Sequence, residues 1–586
     1  MQQQNLGFTA EMSVLQGVVD SIVFTSNDGG FSVFRLRMQQ QGRCTVTLNG
    51  ASPLVGQDVR LDGSWVTHPR FGRQFHAMRV QTSAPTSADG IERFLSSGAI
   101  DGVGAAMARR IVARFGAHAL QVIENEPHRL REVAGIGEKT AEKIVSSYTK
   151  QSELRDIMLW LESHGVTGAY AARIFKTYGS LSVEVLERDP YRLAQEVDGI
   201  GFITADTIAS ASGWEKNSSE RIAAGLSYEL SQISSGGHCC IPESLLADRS
   251  AQRLGVARSE VMEVLAHEVK TQRLYHVDEL GERLIYAPYL YQAEEKTART
   301  LRLLQKKAEH IYVNDADLLV AEWEVKSFVT LAAEQREAVT AALTHGVFVL
   351  TGGPGTGKTT VIRSMIDILG AEGLEILLGA PTGRAAKRLA EATGHPAVTV
   401  HRMLEAQGGT QGQIRFARDD KTPLEADVII LDEVSMMDIV LMQHFLTAVL
   451  PGTHVILVGD VDQLPAVGPG AVLKDILRAE VIPSVRLTEI FRQDSTGTIV
   501  LNAHAINAGR IPSFTAEDFS FLPAVSSEDA AQQIVSLCRD LLLRKNDVSI
   551  MDVQVLSPMR REACGVDILN LRLQAALNPP GQGKEE

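Results

Sequence analysis

The stretch FVLTGGPGTGKTT, residues 348–360, is the part of the sequence that most directly predicts the fold. Apolar residues typical of a buried strand lead into a glycine-rich turn, and a helical pattern begins after Thr360. Residues 352–359 match the phosphate-binding pattern G-x-x-x-x-G-K-[ST]. A glycine-rich turn can match this pattern by chance, but here a strand precedes it and a helix follows it, as phosphate binding requires. The stretch therefore predicts a site for a nucleoside triphosphate.

The loop offers two kinds of contact to a triphosphate. Its glycines let backbone N–H groups converge on a phosphate, and the helix N-terminus adds positive potential. Lys358 is expected to reach the β- and γ-phosphates, and the hydroxyl of Thr359 to ligate Mg²⁺. The expected nucleotide-binding residues of the loop are Gly353, Pro354, Gly355, Thr356, Gly357, Lys358, Thr359 and Thr360.

Length and composition place this loop in a multidomain chain. The 586 residues are too many for one hydrophobic core and suggest about three to five domains. The hydrophobic share of 44% and the charged share of 22% are ordinary for globular domains. No apolar run reaches the ~18 residues of a membrane span, and the start MQQQN is not a signal peptide. We expect a cytoplasmic protein that does not enter a membrane.

The cysteines and the net charge further limit the kinds of protein that this sequence can encode. The five cysteines include the adjacent pair Cys239 and Cys240, and their spacing predicts neither a disulfide framework nor a metal site. Reduced cytosolic thiols explain them better. The formal net charge of −14 argues against a surface that coats nucleic acid broadly. Any contact with DNA must therefore be local.

Residues 1–85 alternate apolar and polar side chains in five short runs, which predicts a small barrel of the OB type. Such barrels can bind single strands on aromatic side chains. Phe31, Phe34, Trp65 and Phe75 can serve that purpose or fill the core, and their strand spacing favours the core.

Residues 86–215 are helical and repetitive. The triplet Gly-Val-Gly at 102–104 recurs as Gly-Ile-Gly at 135–137 and 199–201, and 164–174 resembles a degenerate copy. Each triplet stands between two helical patterns, which resembles the helix-hairpin-helix motif. The following helix can hold a DNA phosphate on its N–H groups, or the repeats can only pack against each other. Contact of at least one repeat with DNA is favoured, but the sequence does not indicate which repeat makes it.

Residues 216–310 predict a winged-helix-like connector. Two helical patterns are followed by a short apolar hairpin around 274–286. The hairpin can touch nucleic acid or can simply connect domains, and the sequence favours neither.

Residues 311–483 predict the first ATPase lobe. A buried parallel strand, 428–431, ends in Asp432, which is expected to hold Mg²⁺, and Glu433, which is expected to deprotonate the attacking water. A later strand leads to Gln463, whose amide can sense the γ-phosphate at the same sheet edge. Ahead of the loop, Gln335 has the paired donor and acceptor needed to bind adenine.

Arg492 lies at the end of a further predicted strand, 487–492, in a second lobe. An arginine there can neutralise charge in the transition state, or it can form a surface ion pair. The loop and basic helix start at 381–388 can hold a phosphate of a bound strand, or can be a solvated helix face.

Five segments resemble motifs I, Ia, II, III and IV of superfamily 1 DNA helicases. They are the phosphate loop, PTGRAA at 381–386, LDEVSM at 431–436, VGDVDQLP at 458–465 and FRQ at 491–493. The sequence is most similar to the RecD-like branch in its longer bacterial form, which carries an N-terminal β-domain and helix-hairpin-helix repeats. The resemblance implies ATP-driven movement along single-stranded DNA in the 5′-to-3′ direction, with unwinding of duplex ahead.

The resemblance also implies roles for individual residues. Lys358, Glu433, Gln463 and Arg492 correspond to the family's catalytic positions, with ATP and Mg²⁺ as cofactors. The positions that touch the strand in the family correspond to Thr382, Gly383 and His401. The polar stretch 407–423 lies where the family inserts a β-hairpin pin. The implied partners are single-stranded DNA and junctions with duplex, and no protein partner is indicated.

The expected fold class is multidomain α/β, with RecA-like P-loop motor lobes preceded by a small β-barrel and a helical helix-hairpin-helix region. The second lobe is expected over 484–586 and to be incomplete, because the family's motifs V and VI are not recognised before Glu586. This apparent truncation leaves an alternative open, a protein that binds nucleotide and DNA without motor activity. An ATPase acting on RNA is disfavoured, since nothing in the sequence resembles an RNA-binding module.

Overall fold

The computed structural model describes residues 13–25, 31–38, 42–48, 53–68, 72–83, 85–98, 100–164, 166, 168–279, 281–307, 315–408, 414–489, 497–514, 518–544 and 548–578. The chain forms two compact units. The first comprises residues 1–351 and 359–486, and the second comprises residues 352–358 and 487–586. No helix among the described residues is both long enough and apolar enough to cross a membrane.

A closed five-stranded barrel begins the first unit. Its strand order is β1-β2-β3-β5-β4, and the β3–β5 pair is parallel, which is the arrangement of an OB-fold. Phe34 and Phe75 are fully buried inside it, so the core role favoured for these two aromatic residues is correct. The strands are β1 Ser13–Thr25, β2 Ser32–Met38, β3 Gly42–Leu48, β4 Asp58–His68 and β5 Gly72–Ser83.

Eight α-helices follow among the described residues, and the three glycine triplets between them adopt one geometry. The first glycine of each is left-handed, with φ of +85° at Gly102, +90° at Gly135 and +74° at Gly199. The second glycine begins the next helix as an N-cap that has no side-chain hydrogen bond. The helices are α1 Ala88–Ser96, α2 Ala105–Phe115, α3 Ala119–Asn125, α4 Glu138–Ser163, α5 Ala171–Tyr178, α6 Ser182–Arg188, α7 Leu193–Glu196 and α8 Phe202–Ala211.

The next segment has the connectivity of a winged helix, with three helices and a three-stranded sheet of order β6-β8-β7. Its core is continuous with that of helices α4–α8, because Leu226 and Leu265 pack in one cluster with Leu161 and Ile208. The elements are α9 Ser219–Ser235, β6 Cys240–Pro242, α10 Glu243–Leu254, α11 Arg258–Lys270, β7 Tyr275–Glu279 and β8 Glu282–Tyr286. Two helices, α12 Pro288–Lys307 and α13 Ala316–Ser327, then lead into the ATPase lobe.

The ATPase lobe is built on a six-stranded sheet of order β11-β10-β14-β15-β9-β16. Strands β9, β14 and β15 are buried along their whole length, as expected for parallel strands covered on both faces. The strands are β9 Val347–Gly352, β10 Ile376–Ala380, β11 Ala397–Thr399, β14 Val428–Leu431, β15 His454–Gly459 and β16 Ser484–Leu487, and a separate antiparallel pair is β12 Ala406–Gly408 with β13 Ile414–Phe416. The helices are α14 Ala333–Thr344, α15 Lys358–Ala371, α16 Gly383–Thr393, α17 Val400–Met403, α18 Ile439–Thr447 and α19 Val472–Ala479.

Strand β16 corrects the expected start of the second lobe at residue 484. It is the edge neighbour of β9 in the first lobe's sheet, and its Val485 and Leu487 side chains are buried. The Val349 N–H also donates to the carbonyl of Pro483 at 2.9 Å. This short alternating strand therefore completes the sheet beside β9, because without it β9 would have a free edge.

In its described residues the second unit has three α-helices, α20 Thr498–Asn507, α21 Ser527–Arg544 and α22 Val566–Leu577. Helices α21 and α22 are joined by an ion pair of 2.7 Å between Glu528 and Arg572. No strand beyond β16 occurs among its described residues, and residues 490–492 of the strand expected at 487–492 lie outside them.

Candidate functional site

The phosphate-loop backbone has the shape that anion binding requires. The loop follows β9, and Gly355 and Gly357 are left-handed, with φ of +81° and +83°. Only glycine adopts these angles without strain, and they turn successive N–H groups inward. A side chain at Gly352 would lie 2.8 Å from Thr356 Oγ1. The glycines at these three positions are therefore each required by the backbone.

Side chains of the loop are held by its own carbonyls. The Lys358 ammonium donates to the carbonyls of Gly352 at 2.5 Å and Gly353 at 3.0 Å, and Thr356 Oγ1 donates to the latter at 2.9 Å. The Thr359 side chain, in the first turn of α15, is exposed. Lys358 and Thr359 thus stand at the helix N-terminus where the sequence predicted them, and Pro354 is exposed beside them.

Asp432 and Glu433 follow buried strand β14. The Asp432 N–H donates to the carbonyl of Gly379 at 2.9 Å, which fixes the start of the turn to β10. Its Oδ1 accepts from the Glu433 N–H at 2.8 Å. Both side chains are half-buried. One contact thus fixes the Asp432 backbone, and the other positions its carboxylate.

Glu433 has a left-handed backbone, with φ of +55° and ψ of +37°. This conformation costs a non-glycine residue about 1–2 kcal/mol. Such strain persists where the surrounding structure enforces it, and it is frequent at active sites. The sequence located this carboxylate but gave no sign of its backbone conformation.

Gln463 follows β15 in a tight turn. The turn is organised by Asp460, which is 2% exposed and whose Oδ1 accepts from the Asp462 N–H at 3.0 Å. The Gln463 N–H donates to the Asp460 carbonyl at 3.2 Å, and its side chain is exposed. Because β9, β14 and β15 are neighbouring parallel strands, the segments after them leave the same edge of the sheet.

Gln335 is buried at the start of α14, and its amide is used locally. The Gln335 Oε1 atom accepts from the Ala332 N–H at 3.0 Å, which caps the helix. Glu324 holds the preceding turn, since it accepts from the Leu331 N–H at 2.7 Å and from Arg336 at 2.5 Å. Contact of Gln335 with adenine stays a prediction. The side-chain oxygen of Gln335 already accepts a hydrogen bond from a backbone N–H.

The expected DNA-contacting residues occupy two helix starts. Thr382 caps α16 by accepting from the Ala385 N–H at 3.2 Å, and Gly383 beside it is exposed. His401 lies in α17, with its ring 5.9 Å from that of Phe416 at the base of the β12–β13 hairpin. The Phe416 ring lies 4.8 Å from His444, whose pKa is lowered by burial. The hairpin base and His401 are thus packed together.

Two further expectations concern Arg492 and the hairpin of the connector. Arg492 lies outside the described residues. The wing between β7 and β8 carries Asp278, Glu279 and Glu282, and Arg283 is already paired with Asp278 at 3.0 Å. This acidic wing repels phosphates, so the connector role is favoured for the hairpin.

Two arginines that the sequence analysis overlooked join the helical repeats. Arg110 on α2 donates to the carbonyl of Ala134, just before Gly135. Arg173 on α5 donates in the same way to the carbonyl of Asp198, just before Gly199, at 3.2 Å. The degenerate repeat therefore pairs with the third triplet as the first pairs with the second. The recurrence of arginine after each earlier repeat was the available signal.

Four family models match consecutive parts of the chain. They are the ATP-dependent DNA helicase YrrC OB-fold domain at 12–85, a SAM-like helix-hairpin-helix tandem at 92–148, the ATP-dependent RecD2 DNA helicase HHH domain at 150–240, and an AAA domain at 330–524. Their order along the chain agrees with the barrel, the helical repeats and the ATPase sheet, which confirms the expected fold class.

Known proteins resemble the chain over very different lengths. It is 34% identical over 591 residues to the ATP-dependent RecD2 DNA helicase of Deinococcus radiodurans, which covers 98% of this chain and 80% of that protein. It is 38% identical over 219 residues to the RecBCD enzyme subunit RecD of Mycobacterium tuberculosis, covering 33% of this chain and 36% of the subunit. A solved structure of Pif1 helicases on forked DNA is 20% identical and aligns with a TM-score of 0.24, covering 36% of this chain and 52% of that one, which is too weak to support an argument.

Proposed function

The chain belongs to the RecD2 family of ATP-dependent DNA helicases, and from that premise we propose how its residues bind and hydrolyse ATP. The function is ATP-dependent unwinding of DNA, with the 5′-to-3′ polarity characteristic of the family. The observation that carries this conclusion is the 34% identity with a RecD2 helicase over 98% of the chain. The left-handed glycines of the phosphate loop support it independently.

Phosphate binding is assigned to the loop 353–360. Its inward-turned N–H groups and the N-terminus of α15 bind the β- and γ-phosphates, and the helix dipole favours their negative charge. Lys358 exchanges its carbonyl partners for phosphate oxygens, because a charged acceptor binds an ammonium more strongly than a carbonyl does. Gln335 is proposed to contact adenine.

The donor set of the site fits Mg²⁺. Protein sites for Mg²⁺ commonly supply one or two oxygen ligands and leave the remaining positions to water and phosphates. Thr359 and Asp432 would hold the ion, and no cluster of three or more His, Cys, Asp or Glu side chains suited to a metal occurs in the part of the chain that the structure describes. A bound Mg²⁺ would supply charge neutralisation on the phosphate oxygens.

Hydrolysis is assigned to three side chains. Glu433 accepts a proton from the attacking water, and its constrained backbone holds the carboxylate in one orientation. Gln463 and Arg492 contact the γ-phosphate, where an arginine stabilises charge that develops in the transition state.

The DNA partner is proposed to be a single strand at a junction with duplex. Thr382, Gly383 and His401 contact the strand, and the β12–β13 hairpin separates the two strands of the duplex. The packing of Phe416 between His401 and His444 supports this, because it attaches the hairpin to the same helix start as a proposed strand contact. We propose the domain limits expected from the sequence, except that β16 joins the first lobe.

ATP hydrolysis with and without single-stranded DNA tests this function. We expect DNA to stimulate turnover in the wild-type chain, and Lys358→Ala to lower stimulated turnover by at least about a hundredfold, because the phosphate charge is no longer matched. Lys326→Ala is the control, since Lys326 is an exposed lysine on α13 whose ion pair among the described residues is with Glu322. ATP binding without stimulated turnover would instead support a nucleotide- and DNA-binding protein without motor activity.

A further inference from the structure

A cleft with a volume of about 700 Å³ lies in the connector, between α9, α10 and β6. This volume is in the range of about 300–1,000 Å³ that ligand sites in proteins occupy. None of the residues assigned to ATP or DNA contacts lines the cleft. We name it the β6 cleft, and its lining includes Glu229, Ile241, Pro242, Leu245, Arg249 and Arg253.

The cleft follows the outer edge of strand β6. In the sheet order β6-β8-β7, β6 is an outer strand that pairs with β8. All three residues of β6 line the cleft, whereas none of the described residues Glu282–Tyr286 of β8 does. The cleft is therefore on the side of β6 away from β8. The edge of an outer strand can pair with an extended segment from another chain.

Two arginines of α10 line the cleft and differ in how far they are committed to protein partners. Arg253 forms an ion pair with Glu229, which is 3% exposed. Arg249, one helical turn earlier, is exposed and has no ion pair with any residue that the structure describes. Its guanidinium is therefore available to a carboxylate, which it can bind through two parallel hydrogen bonds.

An apolar surface lies beside this arginine. Leu245 is 41% exposed on α10, and Ile241 is buried on β6. Leu245 and Arg249 are four residues apart on one helix, which is about 6 Å along its axis. Alternate side chains of an extended strand are spaced by about 6.6–6.8 Å. A strand beside β6 can thus present one side chain to Leu245 and another to Arg249.

This chemistry favours a peptide over a nucleic acid. No Phe, Tyr or Trp among the described residues lines the cleft, so it has no aromatic ring on which a base would stack. A single unpaired arginine also suits one carboxylate better than a row of phosphates. The backbone N–H and C=O groups that a strand edge requires belong to a polypeptide.

We propose that the β6 cleft is a docking site for an extended acidic segment of a partner protein. The segment adds a strand to the outer edge of β6. One of its carboxylates pairs with Arg249, and an apolar side chain two positions away contacts Leu245 and Pro242. The site goes beyond the helicase function, since it includes no residue assigned to ATP or DNA.

Selection of random dodecapeptides, displayed on phage, against the immobilised full chain tests the site. We expect enrichment of sequences with an acidic residue two positions from an apolar one. A synthetic consensus peptide, followed by fluorescence polarisation, should bind Arg249→Glu and Leu245→Asp about tenfold more weakly than wild type, because the carboxylate or the apolar side chain then meets a negative charge. Methylation of every second peptide nitrogen should weaken binding in one register and not in the other, since only alternate N–H groups face β6.

Arg302→Glu is the matched control, because Arg302 is an exposed arginine on α12 that has no ion pair with a described residue and does not line the cleft. It should bind the peptide as wild type does. Both test substitutions change exposed side chains, so the melting temperature should stay the same. A selected pool without an excess of acidic sequences would overturn the proposal, as would equal binding of the consensus peptide to Arg249→Glu and wild type. Loss of DNA binding by Arg249→Glu with peptide binding intact would assign the cleft to nucleic acid instead.

Discussion

Glu433 combines a strained backbone with the carboxylate that the proposed hydrolysis requires. Its left-handed conformation is held by the turn that follows β14, where the Met436 N–H donates to the Glu433 carbonyl at 3.0 Å. A glycine at this position would be free of the strain but would lack the proton acceptor. Stability and activity are therefore expected to respond in opposite directions.

We predict that Glu433→Gly raises the melting temperature of the chain while it lowers ATP turnover about a hundredfold or more. Relief of the strain is worth about 1–2 kcal/mol, and the greater freedom of glycine in the unfolded chain offsets about half of it. Thermal unfolding and ATPase assays on the same preparation measure both effects.

Glu480→Gly provides the comparison. Glu480 ends α19 with φ of +52° and is exposed. It should give a similar rise in melting temperature with unchanged turnover. A fall in stability for both variants would contradict the strain argument, and normal turnover of Glu433→Gly would contradict the role as base.

The sequence indicated candidate side chains for this site, but it did not indicate their conformations. Asp432 and Glu433 were identifiable because a fully apolar strand precedes them, and burial of a parallel strand demands such a run. The φ of Glu433 depends on how the chain turns toward residues far away in sequence, such as Gly379. The sequence did not indicate the capping role of Gln335 either, because that role depends on the turn that Glu324 holds.

At the scale of elements, the two glycines of one triplet have different structural roles. Gly135 has a φ of +90°, and a side chain there would lie 2.9 Å from the Arg110 guanidinium. Gly137 has a φ of −89°, and a side chain there would meet nothing within 4 Å. The first glycine is thus required by the fold, and the second leaves the N-terminus of α4 accessible.

Gly135→Ala is expected to destabilise the helical region by about 1–2 kcal/mol, because alanine is strained at this φ and displaces Arg110. Gly137→Ala is expected to cost less, about 0.5 kcal/mol, because alanine is a poorer N-cap residue than glycine but is not strained at this φ. Limited proteolysis and chemical unfolding of the two variants measure the difference. Equal destabilisation by both would refute this division of roles.

Gly137→Ala also tests whether this hairpin touches DNA. An added methyl group beside the free N–H groups of α4 obstructs a phosphate without disturbing the fold. Weaker binding of DNA by this variant, compared with the equivalent Gly201→Ala at the start of α8, would identify the second triplet as a contact. The periodic triplets made the repeats evident in the sequence, but the arginine links that pair them join residues more than twenty positions apart.

At the scale of the molecule, the connector and the motor share one core. Cys239 and Tyr286 of the connector pack in the same cluster as Val349 and Leu431 of the ATPase sheet. The Gly470 N–H, at the end of the loop that carries Gln463, donates to the carbonyl of Gly237 at 3.0 Å. The composition indicated several domains, but it did not indicate that these two are continuous.

A buried carboxyl lies in this shared core. Burial raises the pKa of Glu294 above its ordinary value near 4.5, hydrogen bonds with Cys239 and Tyr286 oppose the shift, and the charges of Asp475 and Glu279 add to it. Because the folded pKa is raised, the stability that the protonated form contributes is present below the unfolded pKa. It is lost as pH rises through the folded pKa.

We therefore predict that Glu294→Gln raises the melting temperature relative to wild type, by an amount that grows between about pH 5 and about pH 8. Glutamine keeps an acceptor for the two hydrogen bonds and carries no charge. Differential scanning fluorimetry over this pH range measures the difference. Glu295→Gln, which changes an exposed neighbour paired with Arg299, should show no such trend. If the difference in melting temperature between Glu294→Gln and wild type were constant with pH, the titration of Glu294 would be excluded as its cause.

The position of β16 at the edge of the ATPase sheet also determines when this lobe can finish folding on the ribosome. β9 carries the phosphate loop and ends at Gly352, yet its outer neighbour begins only at Ser484. At about 5–20 residues per second, the ribosome needs on the order of ten seconds to synthesise the intervening chain. During that interval the edge of β9 is open in the nascent lobe and exposed to pairing with other chains. The lobe is thus most in need of chaperone protection while residues 353–483 emerge, and a chain interrupted before Ser484 retains that open edge.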